Sequence, residues 1–205
     1  MRSAELLKKY DIKLKKSLGQ NLLLDPNINR KMAEIADLSP GDSVFEVGAG
    51  VGDLTEVLAE RAKEVFAIEI DRTFEGPLRE RFGANERVRI FFGDILNHTV
   101  KELVDQYLPG VGVLKMISNL PFYITSPVLM HFLESEVRLH SLTVMVQREV
   151  AERIVALPGG KDYGVLSIAC QVYARPSIAR IVSPKCFRPI PKVESAILHM
   201  PLRDP

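Results

Sequence analysis

From residue 43 to residue 157 the sequence alternates short apolar runs with segments whose apolar residues recur at helical spacing. "SVFEVGAG" reads as a buried strand running into glycines, and "DLTEVLAERA" as a helix opened by Asp53 as its cap. The pair recurs as "EVFAIEID" and "FEGPLRERF", "VRIFFGD" and "VKELVDQYL", "VLKMISN" and "SPVLMHFLES", then "SLTVMVQ" and "REVAERIVAL". A helix after each strand carries the chain back across one face, so successive strands run parallel. The pattern predicts an α/β fold, a mostly parallel sheet with helices on both faces. "VESAILHMPL" adds a final strand, and Pro184, Pro189 and Pro191 mark "SPKCFRPIPK" before it as an irregular loop. The chain holds no internal repeat and no low-complexity segment.

A chain of 205 residues, 46% of them apolar, can bury the core of one full domain. No apolar stretch reaches the ~20 residues that span a bilayer, and "MRSAELLKKYDIKLKK" has no apolar signal core. A cytoplasmic protein without a membrane partner is expected. Cys170 and Cys186 make neither a disulfide framework nor a metal-ligand pattern; they read as a buried small residue and a loop residue, and no metal is expected. His98, His131, His140 and His199 fall in a loop, a helix, a helix end and the terminal strand, without an obvious carboxylate partner, and read as packing or surface residues. The formal net charge is only +1, but the charge is unevenly spread. Lys8, Lys9, Lys13, Lys15 and Lys16 face the single acid Asp11, and Arg175, Arg180, Lys185, Arg188 and Lys192 lie in a stretch with no acid at all. Two such segments either are solvated surface or converge on one face that tracks phosphates.

In a doubly wound sheet, ligands bind outside the carboxyl ends of the strands, so the residues that end each strand carry the information. The first strand ends in Glu46-Val47-Gly48-Ala49-Gly50-Val51-Gly52. Glycines there allow a sharp turn and close approach of a ligand, although Gly-x-Gly-x-Gly is one residue short of the dinucleotide pattern. The second strand ends in Glu69-Ile70-Asp71, some 20 residues on, where an acid commonly accepts hydrogen bonds from the hydroxyls of an adenosine ribose. Together these two ends point to an adenosine-containing cofactor. Asp94, in Gly93-Asp94-Ile95 at the third strand end, suits either a helix cap or an acceptor for an adenine amine. The fourth strand ends in Asn119-Leu120-Pro121-Phe122. An amide oxygen, a backbone carbonyl held outward at Pro121 and the flat face of Phe122 suit a planar base bearing an amino group. Adenine N6 is a poor nucleophile because its lone pair is delocalised into the ring. Two acceptors on its N–H bonds favour a pyramidal nitrogen aimed at an electrophile, and stacking fixes the plane, so that positioning supplies most of the rate.

With these segments together, the chain resembles the S-adenosylmethionine-dependent rRNA adenine N6,N6-dimethyltransferases, specifically the branch that modifies two adjacent adenosines near the 3′ end of small-subunit rRNA. The resemblance runs through "KKSLGQNLLLD", "EVGAGVGDLT", "IEID", "GDIL", "NLPFYITSP", "VQREVAERI", "KDYGVLSI" and "FRPIPKVESAI", nearly the whole chain. It implies a Rossmann-like class I methyltransferase fold and an N-terminal cofactor-contacting segment over residues 1–40, followed by a core over 41–205. It further implies that Gln20, Asn21 and Leu23 cover the methionine end of S-adenosylmethionine, with Gly48 and Gly50 beneath it. Glu69 would hold the ribose and Asp94 the cofactor adenine, with Ile70 and Ile95 also among the cofactor-binding residues. Asn119, Leu120, Pro121 and Phe122 would form the catalytic target-base site, Asn119 also touching the cofactor, with Phe187 stacking on the base's other face. Many members carry Tyr where this chain has Phe122, which keeps the stacking face without the hydroxyl. Members usually continue into a small C-terminal helical domain, whereas this chain is expected to be the catalytic domain alone. The implied partner is small-subunit rRNA or its precursor particle, and the implied state is a monomer.

Three other readings compete. An NAD-dependent dehydrogenase would need the longer glycine loop and a second domain bearing a proton-transfer group. A large-subunit rRNA adenine methyltransferase of the macrolide-resistance type shares the motifs, but "YGVLSI" and "PKVESA" are more similar to the small-subunit branch. A non-catalytic assembly factor retaining the fold would show degenerate strand ends, and these are intact.

Overall fold

The structure is a computed structural model that describes residues 3–15 and 18–203; Lys16 of the N-terminal basic cluster lies outside the described residues. The chain opens with α1 (Ser3–Lys9), a two-residue strand β1 (Leu22–Leu23) and α2 (Pro26–Ile35). Then come β2 (Asp42–Val47), α3 (Asp53–Arg61), β3 (Glu64–Glu69), α4 (Glu75–Phe82), β4 (Val88–Phe92) and α5 (Val100–Tyr107). β5 (Val113–Asn119), α6 (Thr125–Leu133), β6 (Leu139–Gln147) and α7 (Arg148–Val155) complete the alternation. α8 (Val165–Tyr173), β7 (Ser177–Val182), β8 (Phe187–Arg188) and β9 (Ser195–Pro201) follow. The main sheet has the order β4-β3-β2-β5-β6-β9-β7. Neighbours from β4 to β6 are parallel, and β9 runs antiparallel to both β6 and β7. This is the expected α/β architecture.

Side chains along the strands point alternately to two apolar layers. On one face Phe45, Phe66, Met116 and Val144 pack with α5 and α6 through Leu103, Leu129 and Phe132. On the other Val44, Val65, Ala67 and Ile117 pack with α2, α3 and α4 through Met32, Leu58 and Leu78. Burial on both faces is why these strands read as continuous apolar runs instead of alternating ones.

Several local expectations are corrected. The N-cap of α3 is Gly52, at φ 88°, and Asp53 is the first helical residue. Its carboxylate is held by Arg81 at 2.8 Å and by the Ser3 hydroxyl, so it ties α1 and α4 to α3. β6 begins at Leu139, which places His140 in a strand and not at a helix end. The segment "SPKCFRPIPK" is not wholly irregular: Pro184–Cys186 form a 3₁₀ turn, and Phe187–Arg188 pair with Leu22–Leu23. α2, α8 and β7 fall outside the alternation seen in the sequence.

β2 and β5 lie at the switch point, where the strand order reverses. Lys115 on β5 is buried; its Nζ donates to Asp42 Oδ2 at 2.8 Å and to the Asp37 carbonyl at 2.6 Å, clamping the start of β2. At the other end the ladder between β2 and β5 stops at Phe45 and Met116. The Val47 N–H bonds instead to the Ser118 hydroxyl at 2.8 Å. The carboxyl ends of the two strands thus part, and a ligand crevice opens where such folds place one.

Candidate functional site

The crevice, about 1020 Å³ and partly open to solvent, gathers the ends of all four strands expected to carry the site. Gly48 and Gly50, Glu69 and Ile70, Asp94 and Ile95, and residues 119–122 all line it. Gln20, Asn21 and Leu23 of the N-terminal segment and Phe187 line it as well. The parallel topology brings them together: five strands point their carboxyl ends the same way.

The glycines divide the work. A Cβ on Gly48 would sit 3.6 Å from Pro121 Cδ and 3.9 Å from the Asn119 carbonyl, so the loop after β2 lies directly against the turn after β5. Gly48 also has φ 81°, which disfavours any side chain. A Cβ on Gly52 would fall 2.4 Å from the Phe82 ring; this glycine serves the packing of α3 on α4.

Glu69 is 5% exposed. Its Oε2 accepts from Gly50 N and its Oε1 from Asp71 N, each at 2.8 Å. Burial pushes its carboxyl above the usual value, opposed by the Asp71 and Gly50 N–H groups. Each oxygen keeps a further lone-pair site for a ligand donor. Asp94 caps the 3₁₀ turn Ile95–Asn97 through a 3.0 Å bond from Leu96 N, and it lines the crevice too. The cap is thus observed, and the same carboxylate borders the crevice.

Asn119 ends β5 half-buried, and its side-chain amide makes no hydrogen bond to any described residue. The carbonyl of Pro121 is different. It accepts from Ile124 N at 3.2 Å and from the Thr125 hydroxyl at 3.3 Å, which commits it to the turn that starts α6. The neighbouring Leu120 carbonyl accepts no bond among the described residues, while the Leu120 side chain sits in the core. Phe122 is half-buried at the crevice, and Phe187 is 1% exposed, pinned by the pairing of β8 with β1.

The N-terminal segment crosses the crevice as a strap. Lys15 Nζ and Gln20 Nε2 both donate to Asp71, at 2.8 and 2.7 Å, and Gln20 Oε1 accepts from Lys15 N at 2.7 Å. Burial alone would raise the Asp71 carboxyl, but bonds from Lys15, Gln20 and Thr73 outweigh it and bring the pKa down to about 2. The amide of Gln20, a residue expected on the cofactor, thus bonds to Asp71 and to the Lys15 backbone as a latch, while the residue lines the crevice. Asn21 donates to the Gly19 carbonyl at 3.1 Å, and a Cβ on Gly19 would sit 3.2 Å from the Tyr123 ring.

Among the lining residues that sequence reasoning missed are Tyr123, Glu46 and Asn29. Tyr123 follows the motif and is half-exposed; burial raises its pKa first, and the charges of Asp94 and Glu69 raise it further. Glu46 is 1% exposed, accepts from Thr55 at 2.6 Å, and is pushed up to about 8, chiefly by burial. Its place directly before the glycine loop was the available signal. Asn29 of α2 lines the crevice as well.

Comparison with known proteins accords with this geometry. Residues 12–205 match the family model "Ribosomal RNA adenine dimethylase". A "Ribosomal RNA small subunit methyltransferase A" from Alkaliphilus oremlandii is 46% identical over 203 residues, 99% of this chain and 70% of the relative. One of the same description from Pediococcus pentosaceus is 44% identical, over 97% of this chain and 67% of the relative. Among solved structures, a dimethyladenosine transferase from Plasmodium falciparum has TM-score 0.77 at 27% identity, covering 89% of this chain and 63% of that one. The 23S rRNA methyltransferase ErmE has TM-score 0.73 at 28% identity, over 89% and 70%. By fold, by motif and over nearly its whole length, the chain belongs to the ribosomal RNA adenine dimethylase family.

Proposed function

We propose that the chain transfers methyl groups from S-adenosylmethionine to the exocyclic N6 of two adjacent adenosines near the 3′ end of small-subunit rRNA, in the cytoplasm and as a monomer. The observation that carries this is the continuity of one crevice from Glu69 and Asp94 to an unpartnered Asn119 amide beside Phe122.

The residues fit such a cofactor. Glu69 has one lone-pair site per oxygen left for a pair of ribose hydroxyls, Asp94 borders the same end, and Gly48 leaves room for close approach. When bound, the sulfonium supplies an electrophilic methyl group. The chain's own part is positional. The Asn119 amide oxygen and the Leu120 carbonyl accept the two N–H bonds of the target amine and leave its lone pair free to point along the crevice. Phe122 holds the base plane. The strap, latched through Asp71 by Lys15 and Gln20, lies across the crevice. After transfer the amine has lost a proton to solvent and keeps one N–H, which either acceptor can hold for the second round.

RNA contact has support in the pairing of Leu22 with Arg188, and of Leu24 N with the Cys186 carbonyl at 2.8 Å. These bonds set the second basic segment against the chain that follows the N-terminal lysines. Two N-terminal lysines are offset by acids, Lys9 by Glu80 and Lys15 by Asp71, so Arg188, Lys185 and Lys192 are the better phosphate candidates. The curated relatives, at 41–46% identity, favour the small-subunit substrate over that of ErmE, at 28%. Incubating the protein with S-adenosylmethionine and undermethylated small or large ribosomal subunits tests the reading. N6,N6-dimethyladenosine should appear on two adjacent adenosines of the small-subunit RNA; product confined to large-subunit RNA, or no product, would overturn it.

A further inference from the structure

Asn29 sits on the first turns of α2 and is 2% exposed, yet its Oδ1 has no hydrogen-bond partner. Neither atom of its amide bonds to any described residue, and the residue lines the crevice. A buried acceptor left unpaired is costly, and a native protein keeps one where a ligand or an ordered water completes it. The position in the fold indicates which part of a ligand. Glu69 and Asp94 occupy one flank, at the ends of β3 and just past β4. α2 packs against α3, β1 and β6, the opposite flank. There β1 contributes Leu23 and α3 contributes Leu54 and Asp53 to the crevice; the leucines cannot meet a charged group, and the Asp53 carboxylate is held by Arg81 and the Ser3 hydroxyl. Of the two polar side chains expected at this end of the cofactor, Gln20 has both ends of its amide engaged by Asp71 and Lys15, and Asn21 donates its amide N–H to the Gly19 carbonyl.

We infer that Asn29 binds the amino-acid end of S-adenosylmethionine, its amide oxygen accepting from the ammonium and its amide nitrogen donating to the carboxylate. The inference rests on the cofactor named above. It makes Asn29 a binding residue that the family motifs do not contain, and it explains why an amide tolerates burial among leucines. The three polar patches of the ligand then each have a partner: adenine at Asp94, ribose at Glu69, amino acid at Asn29.

Titration calorimetry with two ligands tests it on the full chain. S-adenosylhomocysteine carries the amino-acid end; 5′-methylthioadenosine lacks it. Asn29→Leu keeps the side chain's approximate volume and removes both polar atoms. It should weaken S-adenosylhomocysteine binding at least tenfold, as expected for losing hydrogen bonds to charged groups, and change methylthioadenosine binding less than twofold. Its melting temperature should not fall, since an orphaned acceptor is removed; if the leucine variant fails to fold, Asn29→Ala is compared in the same way. Equal losses for both ligands would mean a packing role and overturn the inference. So would unchanged affinity for both, the result expected if only water or the target base meets Asn29. Wild-type protein that binds neither ligand would defeat the cofactor assignment itself, an outcome distinct from the other two.

Discussion

Glu69 offers the most quantitative test of the cofactor site. Its two oxygens are oriented by backbone N–H groups on either side, Gly50 and Asp71, at 2.8 Å each. That geometry fixes the carboxylate plane and leaves one site per oxygen, one for each ribose hydroxyl. A hydrogen bond to a charged group contributes roughly 1.5–3 kcal/mol, so Glu69→Ala should lose about 3–6 kcal/mol of binding, a factor of roughly 10² to 10⁴ in Kd. Alanine also strands two N–H donors and so lowers stability. Glu69→Gln is the better-folded companion: it preserves volume and one acceptor, but its NH₂ must face one of the two backbone donors. Its affinity should fall by about one hydrogen bond's worth. Calorimetry with S-adenosylhomocysteine and its 2′-deoxy analogue separates contact from indirect damage. In the wild type, removing the hydroxyl should weaken binding; in Glu69→Ala it should make little further difference. If the deoxy analogue loses the same affinity in both proteins, the hydroxyl is not on Glu69 and the assignment fails.

Glu46 holds its proton up to about pH 8 in the folded chain, against an ordinary value of 4.5. Its contribution to stability is therefore complete below pH 4.5 and lost as pH rises through about 8, by at most ~5 kcal/mol; denaturant melts of Glu46→Gln and wild type should diverge in favour of the variant from pH 5 to pH 9. Asp71 behaves oppositely: held down near 2, it contributes stability above its ordinary value of 3.8 that is lost as pH falls through about 2. Asp71→Asn should weaken the latch on Lys15 and Gln20 and speed hydrogen exchange at residues 18–23, while exchange in β2 and β5 stays unchanged. After one transfer the target amine keeps a single N–H, so orientation rests more on stacking, which is worth ~1–3 kcal/mol per base. Phe187→Ala should accumulate monomethyladenosine and Asn119→Ala should suppress both steps, as nucleoside mass spectrometry would read; a wild-type ratio throughout for Phe187→Ala removes the ring from the mechanism.

The elements that were legible in the sequence are those whose cause is local. β2, β3, β5 and β6 are apolar runs because both faces of a parallel sheet are covered, and the helices between them show their buried stripe directly. β7 was not legible: "SIARIV" is exposed along most of its length, so packing left no alternation to read. "VLSIACQVY" forms α8, yet it is apolar nearly all round, a composition that suits a buried strand equally. α2 carried its own signals, the Asp25 cap and Pro26 at the first turn, but lies before the first strand–helix pair and outside the rhythm.

The site divides along the same line. Which residues reach the crevice follows from topology, because every parallel strand delivers its last residues to one edge; that much was readable from strand ends alone. What each side chain does there depends on partners far away in the chain. Gln20 is expected at the cofactor, and its amide donates to Asp71, 51 residues on. Pro121 is expected to offer the second acceptor, and its carbonyl accepts from the N–H of Ile124 and the hydroxyl of Thr125, whereas that of Leu120 accepts no bond among the described residues. In both cases a polar group competes for a finite number of hydrogen bonds, and the fold assigns them first to its own turns and straps. The groups left over, the amides of Asn119 and Asn29 and the second lone pairs of Glu69, are the ones free to meet a ligand. Motif position locates a site; the unspent hydrogen-bonding capacity within it identifies the residues free to meet a ligand.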